Sequence, residues 1–154
     1  MKKRFRFIGL VSVLVLTFIQ FFPAQRNLGD RGGSNDIAAH YAVPKDVQTI
    51  LVNACYNCHS NHTDYPWYVD VQPVGWWLNH HVREAKVELN FSEFGTYGAK
   101  RAARKFAAII DQVEPGDMPL RSYTWMHTEA RLPGVQKKLL TVWAQALHDK
   151  IAPE

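Results

Sequence analysis

The chain has two cysteines, three positions apart, in Cys55-Tyr56-Asn57-Cys58-His59. C-x-x-C-H is the attachment signature for c-type haem. On a helical turn, positions i and i+3 present both sulfurs to the two vinyl groups of one porphyrin edge. The residue after the second cysteine then points an imidazole at the iron. Thioethers hold such a cofactor irreversibly, so a small domain with a partly exposed cofactor edge suffices. Other uses of the pair fit less well. A bridge between the two sulfurs would close a tiny loop and restrain little of the unfolded chain. A thioredoxin-like redox pair wants a βαβ setting, and a Cys2His2 zinc site needs a second ligand pair. Only adjacent His80 and His81 offer one, and adjacent helical residues diverge. A buried pair of free thiols is the bland alternative. The motif implies one covalently bound haem c, with Cys55 and Cys58 as thioether donors and His59 as the proximal iron ligand.

The sixth iron ligand is less determined. Met118-Pro119 follows the helix-stopping run Glu114-Pro115-Gly116-Asp117 and precedes the last helical pattern. Its separation from His59 is similar to the His-to-Met separation of small single-haem cytochromes c. A thioether there would favour reduced iron and raise its potential. His81 is the rival, because an imidazole on an otherwise apolar helical face needs a partner; a backbone carbonyl would also serve. His127 and Met126 are outside candidates, and the remaining histidines read as solvated. Tyr65, Trp67, Tyr68 and Trp77 cluster near the motif and are candidate walls for a flat, apolar macrocycle. Arg101 and Arg104 have the fork that suits propionates, but a charge run on a helix is usually a solvated face.

Four helical patterns must position these groups, and no alternating strand pattern competes with them. Pro44 opens the first, whose stripe Val47, Ile50, Leu51 and Ala54 delivers the cysteine turn at its end. The second, about Val74 to Leu89, puts Val74, Trp77, Leu78, His81, Val82, Ala85 and Leu89 inward. The third, about Ala99 to Val113, carries Ala102, Ala103, Phe106, Ile109, Ile110 and Val113. The last, about Gly134 to Ile151, offers Val135, Leu139, Val142, Trp143, Ala146 and Leu147. Between them lie two Pro- and aromatic-rich loops, Asn61 to Pro73 and Met118 to Pro133, and such loops often line a site. The expected fold class is therefore all-α, a cytochrome c-like domain over residues 44–154.

Ahead of it, Phe7 to Phe22 is an uncharged run preceded by Lys2, Lys3, Arg4 and Arg6 and ended by Pro23. Residues 1–24 read as a signal anchor or transmembrane helix, left uncleaved because bulky Phe22 spoils the nearest small-residue cleavage site. The positive-inside rule then sends the rest of the chain out of the cytoplasm. Residues 25–43 lack an apolar period and read as a flexible linker. The four leading cations account for the whole net charge of +4, so the rest of the chain is formally neutral. That excludes the electrostatic footprint of a nucleic-acid binder. With 154 residues, 47% of them apolar and 21% charged, the chain is one globular domain rather than a disordered or fibrous chain.

The run Cys-Tyr-Asn-Cys-His-Ser-Asn-His-Thr-Asp-Tyr-Pro-Trp-Tyr at 55–68 resembles the membrane-anchored haem-binding domains of bacterial cytochrome c-like proteins. The resemblance continues through Pro73, Trp76, His81-Val82, Leu89-Asn90-Phe91-Ser92-Glu93, Met118-Pro119, Tyr123, His127 and Ala130-Arg131-Leu132. It implies one covalently bound haem and an N-terminal export or anchor segment. The chain departs from the pattern at Ala85-Lys86, where Gly-Arg is usual, and at Phe94, where Trp is customary. Lys86 keeps the charge of that Arg without its fork.

These readings converge on a carrier rather than a catalyst, passing single electrons at the outer face of a bacterial cytoplasmic membrane to an unidentified redox partner. A gas-binding sensor with an open sixth position is the alternative. A peroxidase, with His81 and Arg83 or Arg104 on the distal side, is a third.

Overall fold

The computed structural model describes residues 2–152. It is all-α: eight helices and three short 3-10 turns, with no strand among the described residues. One isolated antiparallel bridge joins Leu28 to His62. The helices are α1 (Lys2–Ile19), α2 (Ile37–His40), α3 (Lys45–Ala54), α4 (Tyr56–His59), α5 (Val74–Glu88), α6 (Ala99–Val113), α7 (Arg121–Met126) and α8 (Gly134–Ile151).

The stripe read for α3 is buried in full, at Val47, Ile50, Leu51 and Ala54. The stripe of α6 is buried too, apart from half-buried Ile110. These helices, with α8, enclose an aromatic core. Phe94 is its hub, fully buried, with Tyr41, Phe91, Tyr97 and Phe106 at ring-centroid distances of 5.5, 6.4, 5.1 and 5.0 Å. Such pairs add roughly 0.5–1.5 kcal/mol each beyond the area they bury. On α8 the inward face differs from the one read in sequence. Leu140, Trp143 and Ala144 are buried and Leu147 is half-buried, whereas Val135, Leu139 and Val142 are exposed. The phase is set by α6, against which α8 packs, and by the Trp143 indole, which donates to Ala42 O at 3.0 Å.

The segment read as a flexible linker is tied down. Asn27 accepts from Lys86 Nζ (2.7 Å) through Oδ1 and donates through Nδ2 to Ser60 O and Thr63 Oγ1 (both 3.0 Å). Its backbone N–H donates to Tyr65 OH at 2.8 Å. Arg26 pairs with Asp70, and Arg31 with Asp64 at 2.6 Å. The reason is compositional: Gly and polar residues give no apolar period, yet they are the residues that make these backbone and amide contacts.

The N-terminal helix also differs from its reading as a membrane span. Helix α1 stops at Ile19, and its uncharged part, residues 7–19, is roughly 20 Å long at about 1.5 Å per residue. Hydrocarbon is ~30 Å thick, and among the described residues no helix is long and apolar enough to cross a membrane. Beyond Ile19 the chain turns and is seized by the domain. Gln20 donates to Gln72 O at 3.0 Å and accepts from Gln72 N–H at 2.8 Å, and the Trp76 indole donates to Phe22 O at 2.6 Å.

Gly75, one residue into α5, permits a close approach: a Cβ there would lie 2.1 Å from Val69 O. This lets α5 press on the Trp67–Asp70 turn and so fixes the helix that walls the site. The core predicts a sharp contrast in stability. Phe94→Ala is expected to cost about 3–5 kcal/mol, and Val87→Ala, at a 74% exposed position, less than about 0.5 kcal/mol. Chemical denaturation of the full chain in detergent measures both; a Phe94→Ala midpoint near that of the parent would remove the hub.

Candidate functional site

A break in the backbone builds the cysteine turn. Helix α3 closes with the Cys55 N–H on Leu51 O at 3.0 Å, and Cys55 then leaves helical geometry. A new turn starts at once, with the N–H groups of Cys58 and His59 both donating to Cys55 O, at 3.1 and 2.9 Å. The two residues between the cysteines face other ways. Tyr56 goes into the core and stacks on Phe91 at 5.3 Å. Asn57 clasps both irregular loops: its carbonyl accepts from Thr63 Oγ1 (2.7 Å), its Oδ1 from Asp64 N–H (3.1 Å), and its amide donates to Tyr123 OH (2.9 Å).

His59 is oriented by the end of α5. Its Nδ1 lies 3.0 Å from both Ala85 O and Leu89 O. Two carbonyls can only accept, so Nδ1 carries the proton and the lone pair is left on Nε2. Burial holds the imidazole below its ordinary pKa and keeps it neutral. A neutral imidazole with its far nitrogen bonded to a carbonyl is how a metal-binding histidine is normally held. Burial pushes the Cys55 thiol up to about 12, with help from the nearby Cys58, and pushes Cys58 itself up to about 11. Both are free, uncharged thiols.

Three cavities meet at this turn. The first, about 350 Å3, is walled by Cys55, His59, Phe91, Ile109, Met118 and Leu132, among others. The second, about 300 Å3, shares His59 and Met118 with it and adds Cys58, His81, Ala85 and Tyr123. The third, about 360 Å3, shares Cys58, His81 and Tyr123 with the second and adds Trp67, Tyr68, Trp77 and Met126. Helix α5 runs along all three. Val74, Trp77, Leu78 and His81 line the third, Ala85 the second and Leu89 the first. The stripe read as the core face of α5 is thus the wall of the cleft, and of its members only Val82 is fully buried in protein.

Most of the candidate residues converge here. Cys55, Cys58, His59, Met118, His81, Trp67, Tyr68 and Trp77 all line this system. His81 donates from Nδ1 to Trp77 O at 2.9 Å, which leaves its Nε2 lone pair on the cleft side of the helix. His127 lies differently, with both ring nitrogens engaged: Nε2 accepts from Tyr68 OH at 2.9 Å and Nδ1 donates to Glu129 at 3.1 Å. It buttresses Tyr68 and stacks on Tyr123 at 4.3 Å. Tyr65 is also elsewhere, donating to Asn79 Oδ1 at 2.7 Å and accepting from Asn27 N–H. Lys86 points to the opposite side of α5, and Arg101 stacks on Tyr97 at 4.1 Å. Sequence reasoning missed Glu88 and Lys105, which pair at 3.7 Å on the rim of the first cavity. Nothing local in the sequence marks a pair formed between two helices.

The site fits a haem. The cleft is largely apolar, its cavities are of ligand size, and two thiols and a neutral imidazole open on it. Among the described residues no group of three or more His, Cys, Asp or Glu side chains that could hold a metal ion comes together. Compared with known proteins, the chain matches the family model described as a haem-binding domain over residues 14–146. No curated protein and no solved structure matches it. The family match covers most of the chain, including the segment read as a linker, and it agrees with the cleft: this protein belongs to the haem-binding domain family.

Proposed function

We propose that the protein carries a single haem c, bound through thioethers of Cys55 and Cys58, with His59 as proximal and Met118 as distal iron ligand, and that it passes single electrons. The observation that carries this reading is the doubly bonded Nδ1 of His59, which presents a neutral Nε2 beside two free thiols in an apolar cleft. When bound, the haem supplies one-electron chemistry at iron. The protein's part is to hold and tune it. Cys55 and Cys58 fix the macrocycle at either end of the turn. The α5 carbonyls lock the His59 ring and raise its basicity. Met118 shares two cavities with His59, and a thioether ligand stabilises the reduced state. Lys105, on the rim, offers a cation for a carboxylate substituent of the ring.

His81 supports a second reading of the distal side, because its Nε2 makes no hydrogen bond with the described residues and it lines the same second cavity as Met118. For the peroxidase reading, Arg83 lies on the other side of α5, Arg104 is exposed, and no arginine among the described residues lines any of the three cavities. For location, we infer that α1 is an uncleaved export and anchoring segment that leaves the haem domain on the outer face of the bacterial cytoplasmic membrane. Its cations lead, its apolar side chains are exposed all round, and Gln20 and Phe22 are bound by the domain just after it.

Covalent attachment is tested by co-expression with a cytochrome maturation system. The denatured chain should keep its haem on a stained gel and through extraction with acidic organic solvent, and Cys55→Ala/Cys58→Ala should lose it; colour leaving with the solvent would end this reading. Met118→Ala should abolish the far-red band of Met-ligated ferric haem and lower the midpoint potential. An unchanged spectrum would pass the role to His81. Rapid binding of carbon monoxide by the reduced protein would favour a sensor over a carrier. Raised thiol pKa values mean less thiolate at any given pH, so in the haem-free chain at pH 8 iodoacetamide should alkylate Cys58 at least about tenfold more slowly than an exposed cysteine, and Cys55 more slowly still. Alkylation at the exposed rate would contradict the burial of the turn.

A further inference from the structure

The face of α5 that turns away from the haem cleft walls a separate hollow of about 710 Å3, bounded on its other side by residues 24–27. Three cations line it, Arg26, Arg83 and Lys86, and no carboxylate does. In a chain whose body is formally neutral, this local imbalance has to be accounted for. Arg26 is committed to Asp70 and lies over the Tyr65 ring at 5.6 Å. Arg83 makes no ion pair or hydrogen bond with the described residues, and Lys86, half-buried, donates to the neutral Asn27 Oδ1 at 2.7 Å and feels the Glu93 carboxylate without forming an ion pair with it. A partly buried ammonium is normally paired with an anion, because solvation lost on burial must be replaced. Arg83 and Lys86 are three apart on one helix, hence on one face, and can reach the same ligand. Asn79 and Asn90 line the hollow as well, but their amides are satisfied within the protein, by Tyr65, Gly75, Asn61 and Ser92. The cations are therefore the groups left to recognise a ligand, and their chemistry selects a phosphate.

Position narrows the source. Trp76 lines the hollow while its indole N–H holds Phe22 O, at the point where the chain leaves α1. Residues Ala24 and Gln25 form the rim. With α1 as the anchor, the hollow opens at the depth of lipid headgroups, where Trp side chains are favoured.

We propose that the hollow between α5 and residues 24–27 is a phosphate-binding site, with Arg83 and Lys86 as the recognising groups and an anionic phospholipid headgroup as the ligand it is placed to take. The phosphate chemistry is independent of haem; only the lipid source rests on the anchor reading. The test uses the full haem-loaded chain in neutral detergent. Native mass spectrometry after exposure to equimolar phosphatidylglycerol and phosphatidylcholine should show preferential retention of the anionic lipid. Arg83→Gln/Lys86→Gln should reduce that preference about tenfold, the effect of losing one charge-assisted hydrogen bond, and any preference due to the leading cations of α1 should persist. Glutamine at 86 can still donate to Asn27, and an unchanged haem spectrum checks folding; Arg83→Gln alone, at an exposed position, serves if the double variant loses it. Calorimetric titration with inorganic phosphate is the second arm. Saturable binding of phosphate that the variant loses, without lipid preference, would keep the site and assign it a soluble phosphate. Identical behaviour of parent and variant in both arms would overturn the proposal.

Discussion

At the end of α5 the His59 ring is held by two carbonyls, Ala85 O, which also accepts the Leu89 N–H that closes the helix, and Leu89 O just beyond it. This bond constrains the whole arrangement. It requires α4 to end against α5, which in turn requires α3 to break at Cys55 rather than run on, because a continuous helix would carry His59 past the carbonyls. It also requires α5 to sit low on the loop before it, which Gly75 allows by having no Cβ to meet Val69 O. The imidazole thereby gains a fixed tautomer and a fixed plane, and the helix end gains a cap.

Around this contact the protein divides its hydrophobic side chains between two tasks. The aromatic hub at Phe94, with α3, α6 and α8, buries apolar surface within the protein. The stripe on α5 instead lines the cleft, and Trp77 remains half exposed. Helices α3 and α6 thus read correctly as core-facing, while α5, with an equally clear apolar period, does not bury its stripe in the same way. A period of 3.6 reports that a face is shielded from water; it does not say whether protein or a cofactor shields it.

The same distinction explains what was legible in the sequence. The helix boundaries of α3, α5, α6 and α8 followed from Pro, Gly and apolar spacing, and the cysteine turn was plain because its chemistry is local. The inward phase of α8 was not, because Leu139 and Leu140 are equivalent in composition and only the packing of α6 and the Trp143–Ala42 bond choose between them. The roles of Tyr65 and His127 were hidden for a related reason: Tyr65 is held by Asn27 and Asn79, and His127 by Tyr68, partners well separated from them in the chain. Short contacts between irregular loops leave no signature in the linear order of residues.

Gln20 and Gln72 exchange two hydrogen bonds, and Trp76 holds Phe22 beside them. A single bond would act as a swivel; a pair joined by a third contact acts as a bracket. Helix α1 and the cleft consequently share one bearing, and whatever fixes the direction of the helix also decides which way the cleft faces. Anything that approaches along α1 therefore meets the mouth of the cleft at one distance and one heading.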